Sequence, residues 1–219
     1  MAYDLEEQEK IDELKAWWQE YGRLVILGAF AFVLAIGGFQ GWRYYRDSQA
    51  LAAGTLYEQL AQAVRTGDRK KVWEIADQII ARYGSTPYAV FGALSAARAS
   101  FEIADLAKAK SHLAWAMEHA RQDQLRDIAR LRLAVVLLDE KNYPEALKLV
   151  EKGAVESMSG LYSDLRGDIL LAQGNAAEAR SAYQLALDKS EAASTYRATI
   201  QIKLDALGEA KPAATPSNK

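Results

Sequence analysis

The chain has 219 residues, a formal charge of −2 and no cysteine. The missing cysteine excludes disulfides, thiolate metal sites and thiol nucleophiles, so any exported part must be held together by packing alone. An isoelectric point near 5.8 gives no basic footprint for nucleic acid, and 50% apolar residues with four prolines fit a helical, core-bearing protein.

Residues 1–20 form an acidic tail carrying Asp4, Glu6, Glu7, Glu9, Asp12, Glu13 and Glu20. Within it Ile11, Leu14, Trp18 and Tyr21 recur at spacings of three and four, which predicts an amphipathic helix over 5–21. That helix reads either as a solvated lead-in or as a docking element. Exposed Trp17 and Trp18 are costly unless they touch lipid or a partner, which makes both candidate partner-binding residues.

The stretch Leu24–Phe39 (LVILGAFAFVLAIGGF) carries no charged residue and is bracketed by Trp17, Trp18, Tyr21 and Arg23 before and by Trp42, Arg43, Tyr44, Tyr45 and Arg46 after. Counted from Tyr21 to Trp42 it is about 22 residues, roughly 33 Å of helix against a bilayer core of roughly 30 Å. A cleaved signal peptide would have a short basic lead and a small-residue cleavage site. The acidic lead and the aromatic exit GGFQGWRYYR predict an uncleaved anchor over 21–45 instead. A buried core helix would rarely need so long an apolar run. Gly28, Ala31, Ala35 and Gly38 share one helical face, and Gly37 and Gly41 add a G-x-x-x-G spacing. Small residues let a second membrane helix approach, so these positions together with Gly41 and Trp42 are the candidate helix-packing site, although small residues are common in any membrane helix. Lys10, Lys15 and Arg23 against Arg43 and Arg46 give a slight bias toward a cytoplasmic tail.

From 46 to 207 apolar and alanine positions recur with helical period, and no run of alternating β-branched residues marks a strand. Breaks fall at 66–68, 83–87, 122–123, 141–144, 153–160, 174–175 and 190, as expected of short antiparallel helix pairs. Residues 165–187 (LRGDILLAQGNAAEARSAYQLAL) resemble a tetratricopeptide repeat. Gly167 takes the small position of helix A, Leu170 the large one, Gly174-Asn175 the turn, and Ala179, Tyr183 and Ala186 the small–aromatic–small pattern of helix B. Fainter copies contain Ala134, Leu137, Asn142, Tyr143, Ala146 and Val150; then Ala97, Ala109, Leu113 and Ala116; then Gly67, Asp68, Val72, Ala76 and Ile79. The expected fold is therefore all-α: one transmembrane helix followed by about four repeats, a capping helix near 191–207 and a polar, Pro-containing tail over 208–219 that is expected to be disordered. The alternative is an irregular helical bundle. Trp73, Phe91, Phe101 and Trp115 are expected to fill space between repeats, with Tyr88 and Tyr162 packing near the joints; exposed anchors for a bound segment are the alternative for these two tyrosines.

Chemistry is sparse. His112 and His119 lie two helical turns apart, about 10.5 Å, too far for one metal. The nucleophile-elbow, phosphate-loop, zinc-protease and dinucleotide fingerprints are absent from the sequence. No enzyme, cofactor, metal or small-molecule substrate is expected. Arg69, Lys70 and Lys71 read as a solvated face. Arg98, Arg126, Arg130 and Arg132 are read either as lining a concave face that meets acidic groups of a partner, with Arg98 and Arg130 as the candidates, or as ordinary surface arginines.

The tail DELKAWWQEYG, the anchor exit GWRYYR and the last repeat LRGDILLAQGNAAEARSAY together resemble the bacterial YfgM family, in order and over essentially the whole chain. The resemblance implies a bitopic inner-membrane protein with its tail in the cytoplasm and its repeats in the periplasm. It implies an accessory subunit of the Sec translocon that pairs with PpiD, a membrane-anchored chaperone, and helps pass secretory chains from SecYEG to periplasmic chaperones. The Pro-containing segment after Gly208 looks like an extension beyond the family's usual end, and the resemblance implies nothing for it. An adaptor of another envelope complex, or a regulator acting through residues 1–20, would use the same architecture.

Overall fold

A computed structural model describes the backbone of residues 2–191 and 194–208, and the side chains of residue 11 and of those from 13 onward within that range. The acidic side chains at 4, 6, 7, 9 and 12, and the tail from 209 to 219, lie outside the described residues. Among the latter there is no strand. Nine helices follow one another: α1 (Ala2–Thr66), α2 (Arg69–Tyr83), α3 (Pro87–Phe101), α4 (Leu106–His119), α5 (Asp123–Asp139), α6 (Tyr143–Glu151), α7 (Ser159–Ala172), α8 (Ala176–Lys189) and α9 (Tyr196–Ala206), with a 3₁₀ turn at Glu156–Met158 before α7. The amphipathic lead-in, the anchor and the first helix of the repeat region are thus one helix. No proline interrupts it, and its glycines, the adjacent Gly37 and Gly38 included, are carried within the helix. The capping helix is shorter than expected and starts at Tyr196.

The chain divides into two compact units, Met1–Leu51 and Ala52–Lys219. The first is helical and contains a stretch long and apolar enough to cross a bilayer, none of it buried within the chain. Leu24, Leu27, Phe30, Phe32, Val33 and Phe39 are all exposed. A chain that turns these side chains outward in water would lose roughly 1.5–3 kcal/mol for each, which a bilayer recovers.

The second unit is a stack of helix pairs. Residues 52–66 of α1 pair with α2, then α3 with α4, α5 with α6, and α7 with α8, and α9 covers the end. Each pair turns through the same device. Gly67, Ala104, Lys141 and Gly174 hold positive φ of 70°, 59°, 62° and 88°. The following residue, Asp68, Asp105, Asn142 or Asn175, donates its N–H to the carbonyl five residues back, on Ala63, Ser100, Leu137 and Leu170. This is a Schellman stop followed at once by the cap of the next helix. Asp68 and Asp105 complete that cap by accepting the N–H of Lys71 and Lys108, both at 3.1 Å. The backbone N–H bond holds the Asp68 carboxyl below its ordinary range. The four turns are 37, 37 and 33 residues apart.

Core packing repeats in the same phase. Seven residues before each turn and nine after it stand Leu60 and Ala76, Ala97 and Leu113, Ala134 and Val150, and Gly167 and Tyr183. Each of the first three pairs lies within one buried cluster. Volume is traded across the crossing: where helix A is small, helix B is large, and the first repeat reverses the assignment. A close-packed interior allows one bulky group per crossing. In the last repeat the trade is extreme, because a Cβ on Gly167 would stand 2.5 Å from Cδ1 of Tyr183.

The cap is fastened by polar groups. Lys203 on α9 donates to Asp164 at 2.8 Å and to Asp168 at 2.8 Å, both on α7. Tyr183 donates to Asp168 at 2.8 Å, and Tyr196 donates to Asp164. Asp164 is buried, so it needs this ring of donors. Burial pushes the Tyr183 and Tyr196 hydroxyls far above their ordinary range, and the adjoining aspartates push the same way. Burial pulls Lys203 down, but its bonds to Asp164 and Asp168 outweigh that and raise it.

Candidate functional site

Within the repeat unit an open groove runs along the A helices of the first three repeats. Its wider part, about 430 Å³, is walled by Tyr57 and Val64 of α1, Phe91, Leu94 and Ser95 of α3, and Leu125 and Ile128 of α5. A second cavity of about 300 Å³ is lined by Ala97, Phe101, Leu113, Val135 and Val136. Arg98 and Arg132 line both. Helical spacing puts them there: Phe91, Leu94, Arg98 and Phe101 recur along α3 at three and four residues, as do Leu125, Ile128, Arg132 and Val135 along α5.

The floor is aromatic and apolar. Tyr57 stacks obliquely on Tyr88 and Phe91, with ring centroids 5.6 and 5.8 Å apart. Phe101 and Val135 remain 39% exposed and Val64 46%, so the groove presents apolar surface to solvent. Phe91 and Phe101 therefore face the groove instead of filling the space between repeats. The reason is register: the neighbouring alanines, Ala89, Ala93, Ala96 and Ala97, occupy the buried face of α3. Trp73 does pack as expected, donating its Nε1–H to Ser100 Oγ at 3.0 Å, and Trp115 packs against two core clusters. Tyr162 is buried and donates to the Asp127 carbonyl at 2.9 Å; burial pushes its hydroxyl up to about 12.

The four arginines singled out by sequence divide into two kinds. Arg130 ion-pairs with Asp127 at 3.2 Å and donates to the Gly153 carbonyl at 2.7 Å, its side chain only 13% exposed. It braces the 152–155 loop and does not line the groove. Arg126 is held by Asp123 at 2.8 Å and by the Ala120 carbonyl at 3.1 Å. Arg98 and Arg132 meet in the groove. Glu102 is shared between Arg98 at 3.1 Å and Arg69 at 3.8 Å. Arg132 makes no ion pair or hydrogen bond among the described residues. Partial desolvation, then the charge of Arg98, hold its guanidinium below the ordinary value. Sequence favours Arg98 and Arg130 and passes over Arg132, because helix periodicity does not say which carboxylate reaches which guanidinium.

The remaining candidates fall where the helices carry them. Leu170, Ala179, Tyr183 and Ala186 share one buried cluster, Gly167 lies against the Tyr183 ring, and Gly174 makes the turn. In the first unit Gly28, Ala31, Ala35, Gly38, Gly41 and Trp42 are all exposed, and a Cβ on any of these glycines would meet open space. The Arg46 guanidinium stands 5.0 Å over the Trp42 ring. Trp17 lies 6.4 Å from Trp18 and 5.9 Å from Tyr21, and both tryptophans are about half exposed. His112 bridges the Lys108 carbonyl and Asp77 at 3.0 and 3.1 Å, and His119 stacks on Trp115 at 4.2 Å. Each histidine thus has a structural task.

A tetratricopeptide repeat-like domain matches residues 15–209. A relative from Haemophilus influenzae, the ancillary SecYEG translocon subunit, is 32% identical over 189 residues, 85% of this chain and 91% of its own. The relative of the same name from Aggregatibacter actinomycetemcomitans is 31% identical over 94% of this chain and 100% of its own. The chain belongs to the YfgM family. Among solved structures, MamA from Desulfovibrio magneticus superposes with a TM-score of 0.52 at 16% identity, over 70% of this chain and 85% of its own; the likeness extends to the fold. Family membership thus agrees with the repeat architecture built above from turns and crossings.

Proposed function

We propose that the chain is an ancillary subunit of the Sec translocon, acting as a membrane-anchored protein-binding scaffold without catalytic chemistry of its own. The observation that carries this reading is the relationship to translocon subunits over almost the whole chain, anchor and repeats alike. The membrane-length helix and the open groove supply the two parts such a scaffold needs.

In this reading residues 1–20 lie in the cytoplasm, the anchor over 21–45 lies in the bacterial inner membrane, and the repeat domain over 46–207 lies in the periplasm. The small face at Gly28, Ala31, Ala35, Gly38 and Gly41, with Trp42 at the interface, packs against a partner helix. Trp17 and Trp18 sit at the cytoplasmic headgroups or against a partner there. The repeat surface engages a PpiD-like chaperone and emerging secretory chains, and hands the latter on. Confinement to one membrane raises the effective concentration of each partner, so individually modest contacts suffice.

Photo-crosslinking residues placed along Gly28–Trp42 and across the repeat helices of the full chain, in intact membranes, test the proposal. Anchor adducts to SecYEG and repeat adducts to a periplasmic chaperone support it. Adducts only to other envelope proteins refute it in favour of another adaptor role, and a deletion of residues 1–20 that reproduces complete loss would move the function to the tail.

A further inference from the structure

The groove has a charge balance unlike that of the chain. Its walls carry three arginines, Arg69, Arg98 and Arg132, against the single carboxylate of Glu102, whereas the whole chain is −2. Glu102 is already divided between Arg69 and Arg98, and Arg132 has no anionic partner among the described residues. The guanidiniums of Arg98 and Arg132 therefore face one space whose single carboxylate is divided between Arg98 and Arg69, and Arg132 is partly desolvated there. Holding like charges together in a partly desolvated place is unfavourable, and an incoming carboxylate relieves it. The pair also lies where the two apolar cavities adjoin, since both are lined by Arg98 and Arg132. One cavity offers Tyr57 and Phe91, the other Phe101 and Val135.

Resting on the scaffold reading above, we propose that this groove binds an extended acidic segment of a partner protein. A Glu or Asp side chain of that segment lies between Arg98 and Arg132, and apolar side chains two residues to either side fill the two cavities. In an extended chain residues i−2, i and i+2 point to the same side, which matches an apolar–acidic–apolar order in the groove. Arginine forks bind carboxylates through paired, charge-assisted hydrogen bonds, so the acidic group sets specificity while the apolar groups supply burial. The open shape suits a segment of chain in place of a folded domain.

The test uses the full chain in detergent micelles and the fluorescein-labelled, C-terminally amidated peptide GSFTETLSG, with its Gln counterpart GSFTQTLSG, followed by fluorescence anisotropy at low salt. The Glu peptide is expected to bind about tenfold more tightly than the Gln peptide, the gain of one charge-assisted contact. Arg132→Gln should remove that preference and Arg98→Gln should reduce it, both with unchanged thermal unfolding. Lys110→Gln, whose partner Glu140 lies outside the groove walls, should leave it intact. Equal binding of the two peptides, a preference that survives Arg132→Gln, or one abolished by Lys110→Gln would overturn the proposal. Co-purification of SecYEG with the same variants separates the two readings. If SecYEG is retained while the peptides are not distinguished, only the groove assignment fails; if SecYEG never co-purifies, the scaffold reading fails with it.

Discussion

Gly167→Ala is a sensitive probe of how the last repeat is packed. The new Cβ would stand 2.5 Å from Cδ1 and 2.9 Å from Cζ of Tyr183. The ring cannot retreat: Tyr183 is 1% exposed, and its hydroxyl is held by Asp168 at 2.8 Å. Overpacking of this kind costs about 1–3 kcal/mol, and the rigid ring puts it at the upper end. Alanine returns about 1 kcal/mol through its helix preference. The net expectation is a loss of about 2 kcal/mol, or a Tm lower by about 4–8 °C for a domain of this size. Far-UV circular dichroism of the full chain in detergent, by heat and by urea, reads it. The decisive comparison is Gly167→Ala in a Tyr183→Ala background. With the ring gone the added methyl has room, so the substitution should change sign and stabilise by up to about 1 kcal/mol. A coupling of about 3 kcal/mol between the two sites follows. Equal destabilisation in both backgrounds would refute the idea that Tyr183 is what requires glycine at 167.

Three further outcomes are expected. Lys203→Met leaves the buried Asp164 carboxylate without its counter-charge and should destabilise by about 3 kcal/mol, the lower end of the range for breaking a buried pair because Lys203 is 29% exposed and Tyr196 still donates to Asp164; a Tm equal to that of the parent chain would dismiss the cap network. The turns give a matched pair of backbone tests: Gly174→Ala, where a Cβ meets nothing, should cost about 1 kcal/mol, and Ala104→Gly should gain about 0.5 kcal/mol, since only the left-handed φ is at stake. Tyr162, Tyr183, Tyr196 and Lys203 all titrate higher in the folded chain than their ordinary 10.0 and 10.5. The folded state thus retains protons that the unfolded chain releases, so their stabilisation is complete below about pH 10 and is lost as pH rises above it. Urea midpoints measured from pH 8 to 12 should be level at first and then fall, and tyrosinate absorbance should appear together with unfolding.

Much of the architecture was legible in the residues themselves, because it is set by local rules. An apolar run of bilayer length needs no partner to be recognised, and neither do Gly67-Asp68 and Gly174-Asn175, since left-handed turns and helix caps favour those residue types. Ala104-Asp105 and Lys141-Asn142 are the same turn with a poorer first residue, and the 37-residue step exposes them once the phase is known. The faces of α3 show where such reading stops. Phe91 and Phe101 have the periodicity of core residues, yet the alanines beside them take the buried face, because only small side chains fit where helices cross closely.

The fate of each arginine and aspartate was decided by tertiary structure alone. Arg130 is drawn into a brace by Gly153, 23 residues away, while Arg132, two positions along the same helix, points into the groove. Asp164 and Lys203 are 39 residues apart and meet only because α9 folds back on α7. Sequence by itself determined the helical class, three of the four pair turns, the repeat phase and the membrane-length segment, since hydropathy, capping and backbone preference act over a few residues; the Ala104-Asp105 turn carried no such signal. The charge of the groove and the locking of the cap depend on which ionic groups meet after the helices stack, and that distance is a property of the fold.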